Sequence, residues 1–384
     1  EMQADQVKDA IIPSNNSDNY VAKGLGQSHN GIYGLGEWRE LIDKKTGEAY
    51  QISSPGWAGA YPWINKHDKV YGFFISHVAG SSAKEDGFSS FFGSPVISRT
   101  VSEILKGKPL VVKQGRINVG NGSLYYEEAG QGEPIIFVHG HSLDHRMWDE
   151  QFLVFAKKYH VIRYDLRGYG ISSSQTEDYQ FMHVEDLVTL MDSLHIKKAH
   201  IVGLSLGGFI TADMLAYFPD RMLSAFLASG NIRKSKGPSE PMTKEEAKVR
   251  DDEIAALKKK GVEVMKKEWF EGLMKSGSSQ RERMRVPLWQ MIDEWDAWQP
   301  LHKEVRVVAG LDAIEELKKS HPAVPALIVE GHSSDNKFSK NPPILEYLPN
   351  GKLKIIEDCG HMMNMERPEE FNAALEEFLI NIEQ

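Results

Sequence analysis

The apolar positions of this chain follow two rhythms. From about residue 110 onward, short apolar runs of strand type alternate with longer stretches of helical spacing. Residues 134–138, 159–164, 199–202, 223–229, 326–330 and 353–357 read as strands. Their nearly continuous apolar character predicts burial on both faces, as in a parallel sheet. Between them, 147–158, 181–194, 209–218 and 368–382 carry helical spacing, and Pro219 stops the third of these helices. Ahead of the alternation, 110–119 and 123–128 flank Gly120-Asn121-Gly122 and predict a hairpin. Asn-Gly there suits a turn with positive φ at both centres. A hairpin followed by alternating strands and helices predicts a doubly wound, mostly parallel α/β sheet.

The first stretch is different. Strand-like runs at 32–38, 49–53, 61–64 and 70–77 are separated by Gly, Asn and Ser, and Asp43-Lys44-Lys45-Thr46-Gly47 reads as a hairpin turn. With 95–105 as a closing helix, this predicts a small antiparallel sheet with helical edges. The expected organisation is an N-terminal fragment, 1–112, and a catalytic domain, 113–384. The domain is interrupted by a charged helical insertion at about 232–305, with helices at 244–260 and 262–275. The run Lys258 to Lys260 reads as a solvated face.

Length and composition narrow the class. The chain has 384 residues, enough for two domains, with 41% hydrophobic and 26% charged residues. A net charge of −9 argues against nucleic acid as a partner. No run of about 18 apolar residues occurs, so no membrane span is expected. No leader pattern is visible. The single cysteine, Cys359, leaves no internal disulfide. A soluble, cytoplasmic chain is the favoured expectation, with export open if a leader is removed.

The candidate chemistry sits at Gly203-Leu204-Ser205-Leu206-Gly207. It joins the apolar run ending at Val202 to a helical pattern, so Ser205 falls on a strand-to-helix turn. Small residues flank it, as a sharp turn requires, and the helix behind aims free N–H groups at the same spot. A nucleophilic serine needs a base that takes and returns a proton near neutral pH, which is histidine chemistry. Of 14 histidines, His361 follows the last strand and a glycine, in the right chain order. His139-x-His141 with His145 has metal-like spacing, but no carboxylate or cysteine completes it, and no metal or other cofactor is implied. Asp165 and Arg167 read as loop-fixing residues, and Cys359 as a small buried one.

Residues 113–384 resemble the α/β-hydrolase family. The residues that carry the resemblance are His139-Gly140-His141-Ser142-Leu143-Asp144 with Trp148, Asp165-x-Arg167-Gly168-x-Gly170, the Gly203 to Gly207 elbow, and Gly360-His361 followed by Glu366-x-Pro368 and Phe371. The likeness is strongest to small esterases, perhydrolases and enol-lactonases. It implies oxyanion donors at the backbone N–H groups of His141 and Leu206, and a cap formed by the 232–305 insertion. It also implies an acid after the strand 326–330, usually three residues past that strand's glycine. Here Asp335 comes one residue later than that, and Glu330 is the runner-up. The order Ser205, Asp335, His361 is the one this fold uses. Four of the eight tryptophans, Trp269, Trp289, Trp295 and Trp298, fall in the insertion. At least two are expected in the cap's own core, and one or two facing the serine as an acyl or alcohol pocket. The implied activity is cleavage of small carboxylic esters through an acyl-enzyme. Lactone opening, perhydrolysis, a non-catalytic binding role and β-lactam hydrolysis are the alternatives.

The stretch Gly34 to Trp38, then Ser54 to Trp63, then Val70 to Ile75 resembles the C-terminal strands of the serine β-lactamase and penicillin-binding family, with Gly56 to Gly59 similar to its third motif. Ser81-Ser82-Ala83-Lys84 has the letters of that family's nucleophile motif but follows the third motif instead of preceding it. The resemblance therefore implies a non-catalytic sheet fragment, expected to pack, to act as a lid or to form a homodimer interface.

Overall fold

The computed structural model describes residues 32–33, 38–42, 49–53, 60–67, 69–75, 101, 110–177, 179, 181–230, 232, 243–302, 313–333 and 342–383. The expected closing helix at 95–105, the third-motif stretch 56–59 and the turn 43–47 lie outside these residues, Val101 excepted. The chain divides into two compact units, 1–110 and 111–384.

The first unit holds an antiparallel sheet of five strands in chain order: β1 (Ile32–Tyr33), β2 (Trp38–Ile42), β3 (Ala49–Ser53), β4 (Ala60–Asn65) and β5 (Val70–Ile75). Trp63 is opposite Gly72, and a side chain at Gly72 would meet the indole at 2.2 Å, so the ring is laid across the bare glycine. Beside it, Asn65 Nδ2 donates to Gln51 Oε1 at 3.1 Å, both buried. Tyr71 and Phe73 alternate onto the exposed side.

The second unit is built on an eight-stranded sheet. In chain order its strands are β6 (Lys113–Val119), β7 (Gly122–Ala129), β8 (Pro134–Val138), β9 (His160–Tyr164), β10 (Ala199–Leu204), β11 (Met222–Ala228), β12 (Ala326–His332) and β13 (Gly351–Glu357). The spatial order is β13-β12-β11-β10-β8-β9-β7-β6. All neighbours from β9 to β13 run parallel, while β6 with β7 and β7 with β9 are antiparallel. The opening hairpin turns at Gly120 and Asn121, because Val119 pairs with Gly122. Only Gly120 has positive φ, 51°, so the turn is glycine-first and not Asn-Gly centred as the sequence suggested.

The helices are α1 (Asp149–Phe155), α2 (His183–Ser193), α3 (Leu206–Tyr217), α4 (Lys244–Lys260), α5 (Val262–Lys275), α6 (Arg285–Glu294), α7 (Trp298–Leu301), α8 (Ala313–Ser320), α9 (Met363–Glu366) and α10 (Pro368–Glu383). Helices α2, α3 and α8 pack Leu187, Leu190, Ile210, Met214 and Leu317 on one sheet face, against Ile136, Ile201, Leu227 and Ile328. On the other face Phe137 meets Trp148 at 4.8 Å and Phe155 at 6.2 Å, and Phe226 meets Phe371 at 5.2 Å. Every residue of β10 is buried, as a central parallel strand requires.

The chain leaves β8 for β9 on one side, then returns to β10 on the other. The carboxyl ends of β8 and β10 therefore border the crevice where the winding direction reverses, where sheets of this kind bind ligands. Helices α4 to α7 lie in the 232–305 insertion. Thr243 caps α4 through a reciprocal bond pair with Glu246, and Gly261, at φ 97°, separates α4 from α5.

Candidate active site

Ser205 joins β10 directly to α3, with φ 56° and ψ −112°. A non-glycine residue in this region stores about 1–3 kcal/mol of strain, and such residues persist only where surroundings over-determine them. Here Ser205 N–H donates to Ala228 O at 2.9 Å, and Phe209 N–H donates to Ser205 O at 3.1 Å. The flanking glycines are steric necessities. A Cβ on Gly203 would come within 2.0 Å of Gly207 O, and one on Gly207 within 2.0 Å of Val138 O. The helix starts at Leu206, three residues earlier than its apolar spacing suggested, so the Leu206 N–H is a first-turn donor with no acceptor inside the helix.

The loop after β8 comes to the same place. A Cβ on Gly140 would lie 3.5 Å from Ser205 Cβ. His139 is fully buried, and its Nε2 accepts from Leu166 N–H at 2.9 Å. That fixes its other nitrogen, Nδ1, as the donor to Gly140 O at 2.8 Å. Burial pushes the His139 pKa down, which keeps this neutral tautomer. The Gly140 carbonyl and the His141 N–H belong to one peptide group. Holding the first fixes the second on the opposite side of the same plane.

His361 follows β13. The backbone N–H groups on either side of it, Gly360 and Met362, both donate to the buried carboxylate of Glu366, at 3.1 and 3.2 Å. Ser278 N–H, from the insertion, donates to the same carboxylate at 2.6 Å. The His361 ring is half-buried, and burial pushes its pKa down, so it is an unprotonated acceptor at neutral pH. The adjacent Cys359 is buried, and burial pushes its thiol up, away from thiolate chemistry.

Asp335 lies outside the described residues. The strand that precedes it in the chain, β12, ends against the histidine loop: Cys359 N–H donates to His332 O at 3.0 Å, and a Cβ on Gly331 would meet Gly360 O at 2.4 Å. Glu330, one residue earlier on β12, points to the opposite face of the strand. Burial alone pushes its carboxyl up to about 7, and among the described residues no cation pairs with it.

The four insertion tryptophans separate. Trp269 donates from Nε1 to Ser142 Oγ at 2.7 Å, and its ring lies 6.0 Å from His141. Trp295 packs edge-on against His141 at 4.9 Å. Trp289 packs against Phe270 at 5.2 Å, and Trp298 stacks on His302 at 4.6 Å, within the insertion. Between the loops after β8 and β9 and helix α6 lies a cavity of about 300 Å³, whose walls include Leu143, Asp165, Ile171, Met291, Glu294 and Trp295.

Three possible metal ligands, from Asp144, His145 and Asp165, lie within 4.8 Å of one another. Carboxylates thus do stand beside His145, which chain spacing did not show, and each already serves a partner within the protein. Asp144 clamps Arg146, and Asp165 holds the His145 ring at 2.7 Å and the Ile171 N–H at 2.9 Å. Arg167 forms a buried pair with Asp186 and donates to Val119 O, so both motif residues do fix loops. Sequence reasoning missed Tyr169, whose hydroxyl meets His141 Nδ1 at 2.8 Å, and the bracketing carboxylate of Glu366. Both lie inside the quoted motifs, but nothing in the letters says which atoms they touch. Among the described residues, no helix is long and apolar enough to cross a membrane.

Residues 135–374 match the Alpha/beta hydrolase family. The chain is 24% identical over 264 residues to an (E)-2-((N-methylformamido)methylene)succinate hydrolase of Acinetobacter baylyi, spanning 67% of this chain and 95% of that protein. It is 25% identical over 264 residues to 3-oxoadipate enol-lactonase 2 of the same organism, spanning 66% of this chain and 92% of that one. Among solved structures, a thermophilic esterase from Thermogutta terrifontis superposes with a TM-score of 0.56 at 23% identity, covering 71% of this chain and all of that one.

Proposed function

This chain belongs to the alpha/beta hydrolase family, and from that premise we propose that it is a serine hydrolase cleaving carboxylic esters through an acyl-enzyme intermediate. The observation that carries the reading is the strained Ser205, held between the free first turn of α3 and a His139-fixed loop whose next peptide N–H is that of His141. His361 takes the Ser205 proton as Oγ attacks the ester carbonyl. The carbonyl oxygen gains the negative charge and is met by the N–H groups of His141 and Leu206. His361 then gives its proton to the departing alkoxide, which leaves as the alcohol. Water, deprotonated by the same ring, attacks the acyl carbon, and the proton returns to Ser205 as the acid leaves. Asp335 is assigned to hold the imidazole tautomer and stabilise the imidazolium. In the substrate pocket, Trp269 and Trp295 are assigned to the wall beside the oxyanion loop.

A second reading on the same machinery is lactone opening, where alcohol and acid are one molecule. Its support is the enol-lactonase relative. A chain-length series of p-nitrophenyl esters beside a lactone panel separates the two. For either reading, Ser205→Ala should remove turnover and the pre-steady-state burst, and retention of more than a few per cent would sink it.

For residues 1–110 we propose a non-catalytic, lactamase-like sheet that contributes to a homodimer interface. Exposed Tyr71 and Phe73 favour this role. Light scattering on the full chain and on one lacking 1–110 decides it. A monomeric full-length chain with an equally stable truncation would overturn the assignment.

A further inference from the structure

We infer that Trp269 is a positioning residue for the oxyanion hole, acting from the insertion through the Ser142 hydroxyl on the His141 peptide. The inference rests on the serine-hydrolase reading above. Trp269 is 41% exposed, so burial does not explain why an indole stands there. Its polar edge is nevertheless used: Nε1 donates to Ser142 Oγ at 2.7 Å, and Ser142 Oγ donates to His141 O at 2.5 Å. Ser142 is fully buried with φ 64°, a left-handed conformation that a serine holds only when tethered.

The two peptide groups flanking the His141 Cα are thus each pinned at their carbonyl. His139 holds the Gly140 carbonyl, and Ser142 holds that of His141. The ring is held from two more sides, by the Tyr169 hydroxyl at 2.8 Å and by Trp295 at 4.9 Å. The N–H of His141 is the donor the mechanism needs. The hydrogen-bond relay to that donor that begins outside the sheet's own loops starts at Trp269. If the insertion lifts, the Trp269–Ser142 bond breaks, and the strained Ser142 loses half of what fixes its hydroxyl. The hole is then complete only while the insertion is seated.

A small displacement of an oxyanion donor lowers kcat and leaves ground-state binding largely intact. The test uses the full chain, with Trp269→Phe, which keeps an aromatic ring and deletes the donor, Ser142→Ala, and the double variant. The readouts are kcat and KM on a p-nitrophenyl ester, the inhibition constant of a trifluoromethyl ketone that forms an oxyanion at Ser205, and the melting temperature. Each single variant should lose about tenfold in kcat with KM within about twofold, and the ketone should weaken by the same factor. The double variant should be no worse than the worse single, because both cut one relay. Unchanged kcat in a variant that melts like wild type overturns the inference. So does an effect confined to KM, which would make Trp269 a substrate contact alone, and so do fully additive losses. A wild type that takes no fluorophosphonate at Ser205 removes this inference together with the reading beneath it. A labelled wild type and an equally active Trp269→Phe remove this inference alone.

Discussion

Glu330→Gln separates stability from catalysis at the strand that precedes the proposed triad acid in the chain. Burial raises the Glu330 carboxyl from the ordinary 4.5 to about 7. The folded state therefore holds this proton more tightly than the unfolded chain does. Below about pH 4.5 both states are protonated and the residue is neutral in its effect. As pH rises from about 4.5 to 7 the unfolded chain ionises first, so folding loses stability, and the penalty is complete above 7. Each pKa unit is worth about 1.36 kcal/mol, so the unscreened penalty is about 3 kcal/mol. The group is partly exposed, and solvent screening reduces this to about 1–2 kcal/mol. The glutamine variant, which cannot ionise, should match wild type near pH 5 and melt higher at pH 8.5, by about 2–6 °C. Paired thermal melts at the two pH values measure the difference, and ester turnover is followed in the same samples. Activity should stay within a few-fold of wild type, because Glu330 points away from the histidine loop. A stability difference independent of pH would refute the desolvation argument. Loss of turnover would make Glu330, and not Asp335, the partner of His361.

Two further outcomes follow from the site. Burial lowers the His361 pKa, and a carboxylate at Asp335 opposes it by favouring the imidazolium. Asp335→Asn should therefore move the acid limb of the kcat/KM profile to lower pH while depressing its plateau, though less completely than Ser205→Ala; an unmoved limb means that Asp335 does not face the ring. Gly207→Ala places a methyl 2.0 Å from Val138 O, a backbone atom that cannot step aside. Urea unfolding should register a loss of about 3 kcal/mol or more, and a loss under about 0.5 kcal/mol would contradict the packing of the elbow.

Much of this was legible in the letters. The parallel strands announce themselves because burial on both faces forces apolar runs such as 134–138, and α4 and α5 are bounded by Thr243 and Gly261, whose cap and φ are local properties. Helices α6 and α8 are not legible in the spacing: α6 carries Pro287 in its first turn, and α8 is only eight residues long. The start of α3 is hidden in the spacing, because Leu206, Gly207 and Gly208 lack an apolar helical pattern, and Gly207 instead packs against Val138 of β8. The proposed nucleophile, base and oxyanion loop each follow a strand end, which chain order makes legible. What chain order cannot supply is long-range touch. Trp269 meets Ser142 across 127 residues, and Ser278 meets Glu366 across 88. Such pairs depend on how the insertion is seated, a property of the folded whole.

The most direct measurement of the central claim is intact-mass and peptide mass spectrometry after treatment with a fluorophosphonate. The account predicts one adduct per chain, on Ser205, forming rapidly in wild type, much more slowly in His361→Ala, and not at all in Ser205→Ala. No adduct, or an adduct on any other residue with Ser205 unmodified, would contradict it.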